Sequence, residues 1–408
     1  MNPRDPMRNP TVSTLILVLA ALLVLACSGE DPDVRQARAV FEATSQADPK
    51  HATYGLTVAV ASQSRFGRRL VLESVASSNY ATALEALRTL AEEPSEDAQA
   101  VLQEAFDGKK AVAHKLLAAI GLARLGDATA RDWVQAQVDS GAAITAPALV
   151  LLAESAPEAI SAILKGLMES DAPSVRNQAY SILGELRYPW ATELLLEGLS
   201  KEFGEERLQP IVSLGRTGDP AVAPKIQPFI TFQGLVFASI EALGALGNRD
   251  VLPTLQAMIE HDQKLVRVYA AAALWRLGEE ATVAELVEAL AGDEEARVRE
   301  NVAVQLAPVD SARALSILLS LASDPEEMVR REALRSLSAR DAGVEVFVPH
   351  LEDTSYQVAA VALDALARLG TADALPSLRP LLENSNPYVA LSAANAILSI
   401  KEREGPAI

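Results

Sequence analysis

Four stretches of the chain repeat one pattern of apolar and polar positions. VRNQAYSILGEL from Val175, VRVYAAAALWRLG from Val266, VRENVAVQLAPV from Val298 and VRREALRSLSAR from Val329 align on Val-Arg-x-x-Ala/Val-x-x-x-Leu-x-x-Leu. Weaker copies begin at Asn79, His114, Ile144, Glu206, Leu235, Val358 and Val389, and the ten steps from Asn79 to Val389 average 31 residues. A period held over that length is the signature of a repeat architecture. Inside one unit apolar residues recur at Val266, Ala270, Leu274 and Leu277, the spacing of one helix face. A second apolar run precedes each Val, as at Val283–Ala291 and Ala314–Ala322. Leu-Gly pairs at 125–126, 246–247, 277–278 and 369–370 place Gly where a left-handed residue ends a helix. Asp171, Asp262, Asp293 and Asp324 stand just before the Val helices, at capping positions.

No strand-like alternation runs long enough to compete. Neither helix of a unit can bury its apolar face alone, so the pairs must stack on their neighbours. The pattern predicts an all-α fold, a right-handed α-solenoid (superhelix) of about eleven helix pairs of ~31 residues. Residues 34–78 are apolar enough for helices but match the template poorly, and read as degenerate capping helices. Residues 79–400 form the solenoid proper, and 401–408 read as a polar tail.

The first residues follow a different rule. Behind Arg4 and Arg8, Leu15–Ala26 reads LILVLAALLVLA, twelve residues without a charge. A membrane span needs about 20 apolar residues, so this run fits the core of an export signal. It ends in Val24-Leu25-Ala26-Cys27-Ser28, which resembles a bacterial lipobox, with Leu25 a mild departure at the position before Ala26. The resemblance implies removal of residues 1–26, acylation of Cys27, a polar tether over 27–33 and an address in the bacterial cell envelope. Ser28 in place of Asp points to the outer rather than the inner membrane.

The repeats also carry a resemblance. The D-x(4–5)-V-R-x-x-A-x-x-x-L-x-x-L-G pattern is similar to HEAT repeats, specifically the short bacterial type also found in phycobilin-lyase-related proteins, over roughly residues 75–400. It implies a ladder between repeats made by the loop Asp and the following Arg, here Asp171 with Arg176, Asp262 with Arg267, Asp293 with Arg299 and Asp324 with Arg330. Ala359 and Ala390 replace the Arg in the last units, so the ladder should fade toward the C-terminus.

Composition narrows the function. Lys+Arg is 36 and Asp+Glu is 54, a formal charge of −18, which opposes nucleic acid as the main partner. A single Cys excludes an internal disulfide framework and a Cys-based metal cluster. His51, His114, His261 and His350 lie in different units and none is followed by Glu. The iron-holding His-Glu pairs of the deoxyhypusine hydroxylases, a HEAT-type enzyme family, are therefore missing. Asp107-Gly108-Lys109-Lys110 lacks the rest of a phosphate-cradling loop. The sequence offers no catalytic residue, no cofactor site, no metal site and no small-molecule substrate. The function expected is a lipid-anchored, non-enzymatic scaffold that binds a partner protein. The alternative is a lyase-like or assembly factor handling a chromophore or client protein, against which the export signal counts.

Two surface features remain. Residues 180–237 hold Tyr180, Tyr188, Trp190, Phe203, Phe229, Phe232 and Phe237, while only Arg216, Asp219 and Lys225 are charged from Leu208 to Ile240. Aromatic enrichment with charge depletion is the composition of an interface core. Tyr188, Trp190, Phe229, Phe232 and Phe237 are the candidate partner-binding residues; filling a core widened by irregular units is the other reading. From Glu279 to Glu300 eight carboxylates face only Arg297 and Arg299, which predicts an acidic face.

Overall fold

A computed structural model describes residues 31–108, 111–141, 145–153 and 156–404. The export segment, Cys27 and residues 28–30 of the expected tether lie outside the described residues, as do 109–110, 142–144, 154–155 and 405–408. Residues 31–33, also read as tether, are instead the cap and first turn of the first helix, where Asp31 accepts from the N–H groups of Asp33 and Val34. The chain opens with α1 (Pro32–Ala47), α2 (Pro49–Ala61), α3 (Arg65–Ser74), α4 (Tyr80–Glu92), α5 (Gln99–Asp107) and α6 (Val112–Arg124). It continues through α7 (Ala128–Asp139), α8 (Ala146–Leu152), α9 (Pro157–Met168), α10 (Pro173–Leu186), α11 (Pro189–Lys201), α12 (Leu208–Thr217) and α13 (Ala223–Ile226). Then come α14 (Val236–Leu246), α15 (Leu252–Met258), α16 (Lys264–Arg276), α17 (Glu280–Ala291), α18 (Ala296–Leu306), α19 (Ala312–Leu321) and α20 (Glu327–Ala339). It closes with α21 (Tyr356–Leu369), α22 (Leu375–Leu378) and α23 (Pro387–Glu404). Among the described residues there is no strand, and no helix is long and apolar enough to cross a membrane. The all-α solenoid expected from the periodicity is the fold observed.

The chain divides at Leu125/Gly126 and Arg340/Asp341 into two compact units, the first built from both ends of the chain and the second from its middle. In the second unit each Val-Arg helix packs on the next, α10 on α12, α12 on α14, α14 on α16, α16 on α18 and α18 on α20. Small residues set that spacing. A Cβ on Gly215 would lie 2.8 Å from Ala242 Cβ, and one on Gly244 2.8 Å from Ala273 Cβ, so neighbouring backbones meet with no side chain between them. The predicted face of α16 is the core: Val266, Ala270 and Leu274 have no exposed surface, and its end is turned by Gly278 at φ +88.

In the first unit the sequence expectation needs correction at both ends. The helices over 34–78, read as a cap, pack on the last repeat: α1 and α2 both lie along α23. Asn395 Nδ2 donates to Val58 O at 3.0 Å, Tyr54 Oη and Ser392 Oγ are 3.0 Å apart, and Arg65 N donates to Glu402 Oε2 at 2.6 Å. Lys401 Nζ lies 2.9 Å from Asp31 and 3.1 Å from Asp33, and Arg379 Nε lies 2.6 Å from Asp33. Residues 401–404, read as tail, are the last turn of α23, and they make part of this seam.

Candidate interaction surface

The residues entering each Val-Arg helix make a polar edge, and its register differs by one position from the sequence reading in two repeats. A side-chain acceptor bonds the backbone N–H two residues on: Ser170 to Ala172 (3.3 Å), His261 Nδ1 to Gln263 (3.1 Å), Asp293 to Glu295 (2.9 Å), Asp324 to Glu326 (2.9 Å) and Asp353 to Ser355 (2.8 Å). These acceptors close the turn before the helix rather than capping its first residues. Asp171 and Asp262 therefore stand one residue past the position, which Ser170 and His261 hold instead.

The ladder is also redrawn. Arg299 Nη1 donates to the carbonyls of Asp293 (2.7 Å) and Glu294 (3.2 Å) in its own loop, while Nε and Nη2 fork onto Asp324 of the next repeat at 2.6 and 2.8 Å. Arg330 likewise takes the carbonyls of Asp324 and Pro325. Arg176 takes those of Ser170 and Asp171, and its fork reaches Glu202 and Glu206. The ladder does run between repeats, but each Arg takes backbone carbonyls of its own loop and pairs its side chain with a carboxylate of the next repeat, Arg299 with Asp324 and Arg176 with Glu202. Asp293 is held by Lys264 at 2.9 Å, and Arg267 Nε is buried without a hydrogen-bond partner. Glu202 is a rung that the sequence search missed. It stands four residues before Glu206, as Asp171 stands before Val175, but a template written for Asp passes over it. Burial pushes the Glu202 carboxyl up, but Arg176, the Tyr180 hydroxyl at 2.8 Å and Glu206 outweigh it, so the net shift is downward. Asp324 follows the same balance, with Arg299 overcoming its burial.

A second, unforeseen set of arginines caps helix C-termini. Arg124 donates to the carbonyls of Ala91 (2.5 Å) and Glu92 (2.9 Å), and Arg403 to those of Ala367 (2.7 Å) and Gly370 (2.8 Å) in the first unit. Arg340 does the same for Leu306 and Val309 in the second. Each satisfies carbonyls left open at the end of the preceding Val-Arg helix.

The aromatic segment separates into core and surface. Tyr180 is buried to 1% exposure and belongs to the core. Tyr188 and Trp190 stack at 6.0 Å and 11°, and Phe237 meets Tyr269 at 4.9 Å; all four rings are half-buried. The outer group is Phe203, Arg207, Phe229 and Phe232. Phe203 is 75% exposed and Phe232 51%. The Arg207 guanidinium lies 5.7 Å from the Phe203 centroid and 5.1 Å from that of Phe229, which is 6.0 Å from Phe232. The irregular prolines explain the display. Pro224 and Pro228 leave only the four-residue α13 and a 3₁₀ turn at Gln227–Thr231, after which Phe232 is extended. Gly234 then lets the Glu205 side chain approach, since a Cβ there would lie 2.7 Å from its Oε1. Of the five candidate residues, Phe229 and Phe232 share this patch, and Phe203 and Arg207 join them.

The acidic stretch is less acidic than its sequence. Glu279 pairs with Arg249 (2.6 Å), Glu288 with Arg313 (2.6 Å), and Lys264 sits among Asp293, Glu294 and Glu295. Among the described residues no group of three His, Cys, Asp or Glu is placed to hold a metal ion.

The first unit carries a band of rings that no sequence window shows. Tyr356 begins α21, Tyr388 begins α23, His51 and Tyr54 lie in the first turns of α2, Tyr80 begins α4 and His114 lies in the first turn of α6. Tyr388 is 4.9 Å from Tyr54, 5.3 Å from His51 and 6.4 Å from Tyr356, and Tyr80 is 4.6 Å from His114. Thr53 and Thr82, 3.1 Å apart, link the two groups. Burial, with the charge of Asp364, pushes the Tyr54 hydroxyl up to about 12, so it stays a neutral partner for Ser392.

Known proteins give the frame for these surfaces. HEAT repeats match residues 235–307, 255–338 and 344–407. No curated protein matches the sequence. Among solved structures, an engineered protein is 17% identical over 81% of this chain and 98% of its own, with a TM-score of 0.31. Human deoxyhypusine hydroxylase in complex with glycerol is 16% identical over 61% of this chain and 98% of its own, with a TM-score of 0.32. The CpcE–CpcF complex of phycocyanin lyase from Nostoc is 19% identical over 74% of this chain and 94% of that one, with a TM-score of 0.27. Residues 235–338 and 344–407 match HEAT repeats, and the described residues form an all-α solenoid.

Proposed function

We propose that this protein is a non-enzymatic scaffold of the bacterial cell envelope, anchored through acylated Cys27, that binds a partner protein on the patch formed by Phe203, Arg207, Phe229 and Phe232. The carrying observation is the exposure of Phe203 and Phe232, joined through Phe229 and a guanidinium that already lies over the Phe203 and Phe229 rings. Rigid aromatics around an Arg are the residue types that dominate binding energy at protein interfaces. Both rings contribute little to the core, so their display is not explained by folding. HEAT-repeat architecture, which offers long surfaces of stacked helices, supports a protein partner. The unique Cys at the end of the apolar run supports the anchor, and Ser28 after it supports the outer membrane.

Affinity capture from cell envelopes tests the patch. Phe203→Ser with Phe232→Ser should leave the thermal unfolding midpoint unchanged and weaken partner binding by about 2 kcal/mol or more, roughly thirtyfold. Undiminished capture by the folded double variant rejects the patch. Fatty-acid labelling of the wild type but not of Cys27→Ala tests the anchor separately.

A further inference from the structure

The start of the described chain is fixed, and its position bears on how an anchored protein would stand on a membrane. Asp31 and Asp33 are held by Lys401 and Arg379, and α1 lies along α23. The root of the tether is therefore clamped to the last turn of α23. Asp31 is four residues after Cys27, and four extended residues reach at most about 14 Å. Resting on the acylation of Cys27 proposed above, we infer that the edge of the first unit formed by Arg65, Lys401, Arg403 and Glu404 is turned to the lipid headgroups.

The same helix places the ring band on the other side. Tyr388 and Lys401 are thirteen residues apart on α23, which at 1.5 Å per residue separates them by about 20 Å along the axis. Tyr356 and Tyr80, 48% and 55% exposed, lie at the Tyr388 end. The tether is too short to invert the unit, since that would hold Asp31 about 20 Å above the bilayer. The lipid-facing edge is one where arginine side chains already cover the helix carbonyls, as Arg403 does for Ala367 and Gly370. The band points away, into the space where a soluble partner is met.

The test uses the acylated full-length protein in vesicles of phosphatidylethanolamine and phosphatidylglycerol carrying a headgroup nitroxide. Arg65→Cys and Tyr356→Cys, each bearing a thiol-linked fluorophore, report the two edges, since acylation occupies the native Cys27. The label at 65 should be quenched several-fold more than the label at 356. A long Gly/Ser insertion between Ser28 and Asp31 should erase the difference, because a flexible linker frees the orientation. Equal quenching at both positions in the uninserted protein, with the protein floating on the vesicles, overturns the orientation alone. Failure to float removes the anchor and the orientation with it.

Discussion

The Arg299–Asp324 rung offers the sharpest energetic test of how one repeat holds the next. Both nitrogens of the fork are within 2.8 Å of carboxylate oxygens, and the side chains keep only 11% and 6% of their surface exposed. Removing one partner of a buried pair strands the other and costs about 3–5 kcal/mol; the residual water contact places this rung near the lower end. Arg299→Ala also frees the carbonyls of Asp293 and Glu294, and Asp324→Ala frees the Glu326 N–H. Each single variant should therefore lose about 3 kcal/mol, and the double variant clearly less than the sum, with a coupling of about 2 kcal/mol. In a unit of the size of Gly126–Arg340, such a loss lowers the midpoint by about 6–12 °C. Urea unfolding followed by far-ultraviolet circular dichroism at neutral pH measures all four corners of the cycle. A coupling under about 0.5 kcal/mol, the value of an exposed pair, would refute the rung as a clamp between repeats. Asp324→Asn separates charge from shape, since it keeps the acceptor for Glu326 and loses only the ion pair.

Three further outcomes follow from other contacts. A Cβ on Gly198 would sit 2.3 Å from the Tyr180 ring, so Gly198→Ala should destabilise by about 2 kcal/mol through overpacking, whereas Gly166→Ala, on an open face of α9, should be neutral or up to about 1 kcal/mol stabilising; paired melts decide between them. The seam of the first unit should loosen in acid. Lys401 holds the Asp31 carboxyl, and Arg379 that of Asp33, below the ordinary range, so their contribution is present above about pH 4 and lost as pH falls through the depressed folded values. Amide exchange in Pro32–Ala47 should quicken there before exchange in Lys264–Arg276, and simultaneous loss would count against a separate seam. Asn395→Ala should cost about 1 kcal/mol by removing the seam bond to Val58 O, which keeps the Ser62 N–H, read as a lower urea midpoint.

Much of this fold was legible because HEAT-type stacking is a local code. The Val-Arg helices, their buried faces and the turn at Gly278 all follow from spacings of a few residues, and each element needs only its neighbours to be stable. The loop acceptors were legible in kind and less so in position. Asp171 and Asp262 look like equivalents of Asp293 and Asp324, yet the turn is closed by Ser170 and His261. Any short acceptor closes such a turn, so its chemistry does not single out Asp. The rung at Glu202 was hidden because either carboxylate can meet the Arg fork, and a template written for Asp passes over Glu.

What the sequence conceals is longer in range. Tyr54 meets Ser392 across 338 positions and Asp33 meets Arg379 across 346, and no periodic pattern carries information about a contact made once. The physical trace of that contact is in the polarity of the last helix. Ser392, Asn395 and Ser399 are buried on α23, where a terminal repeat facing solvent could have kept such residues outside and one facing an ordinary neighbour would use Ala. Burying three polar side chains on one helix costs stability unless partners are supplied, and Tyr54 and Val58 O supply two of them. The same junction gathers Tyr54, His51 and Tyr388 into one band, so the surface that sequence reading could not see exists because the two ends of the chain meet.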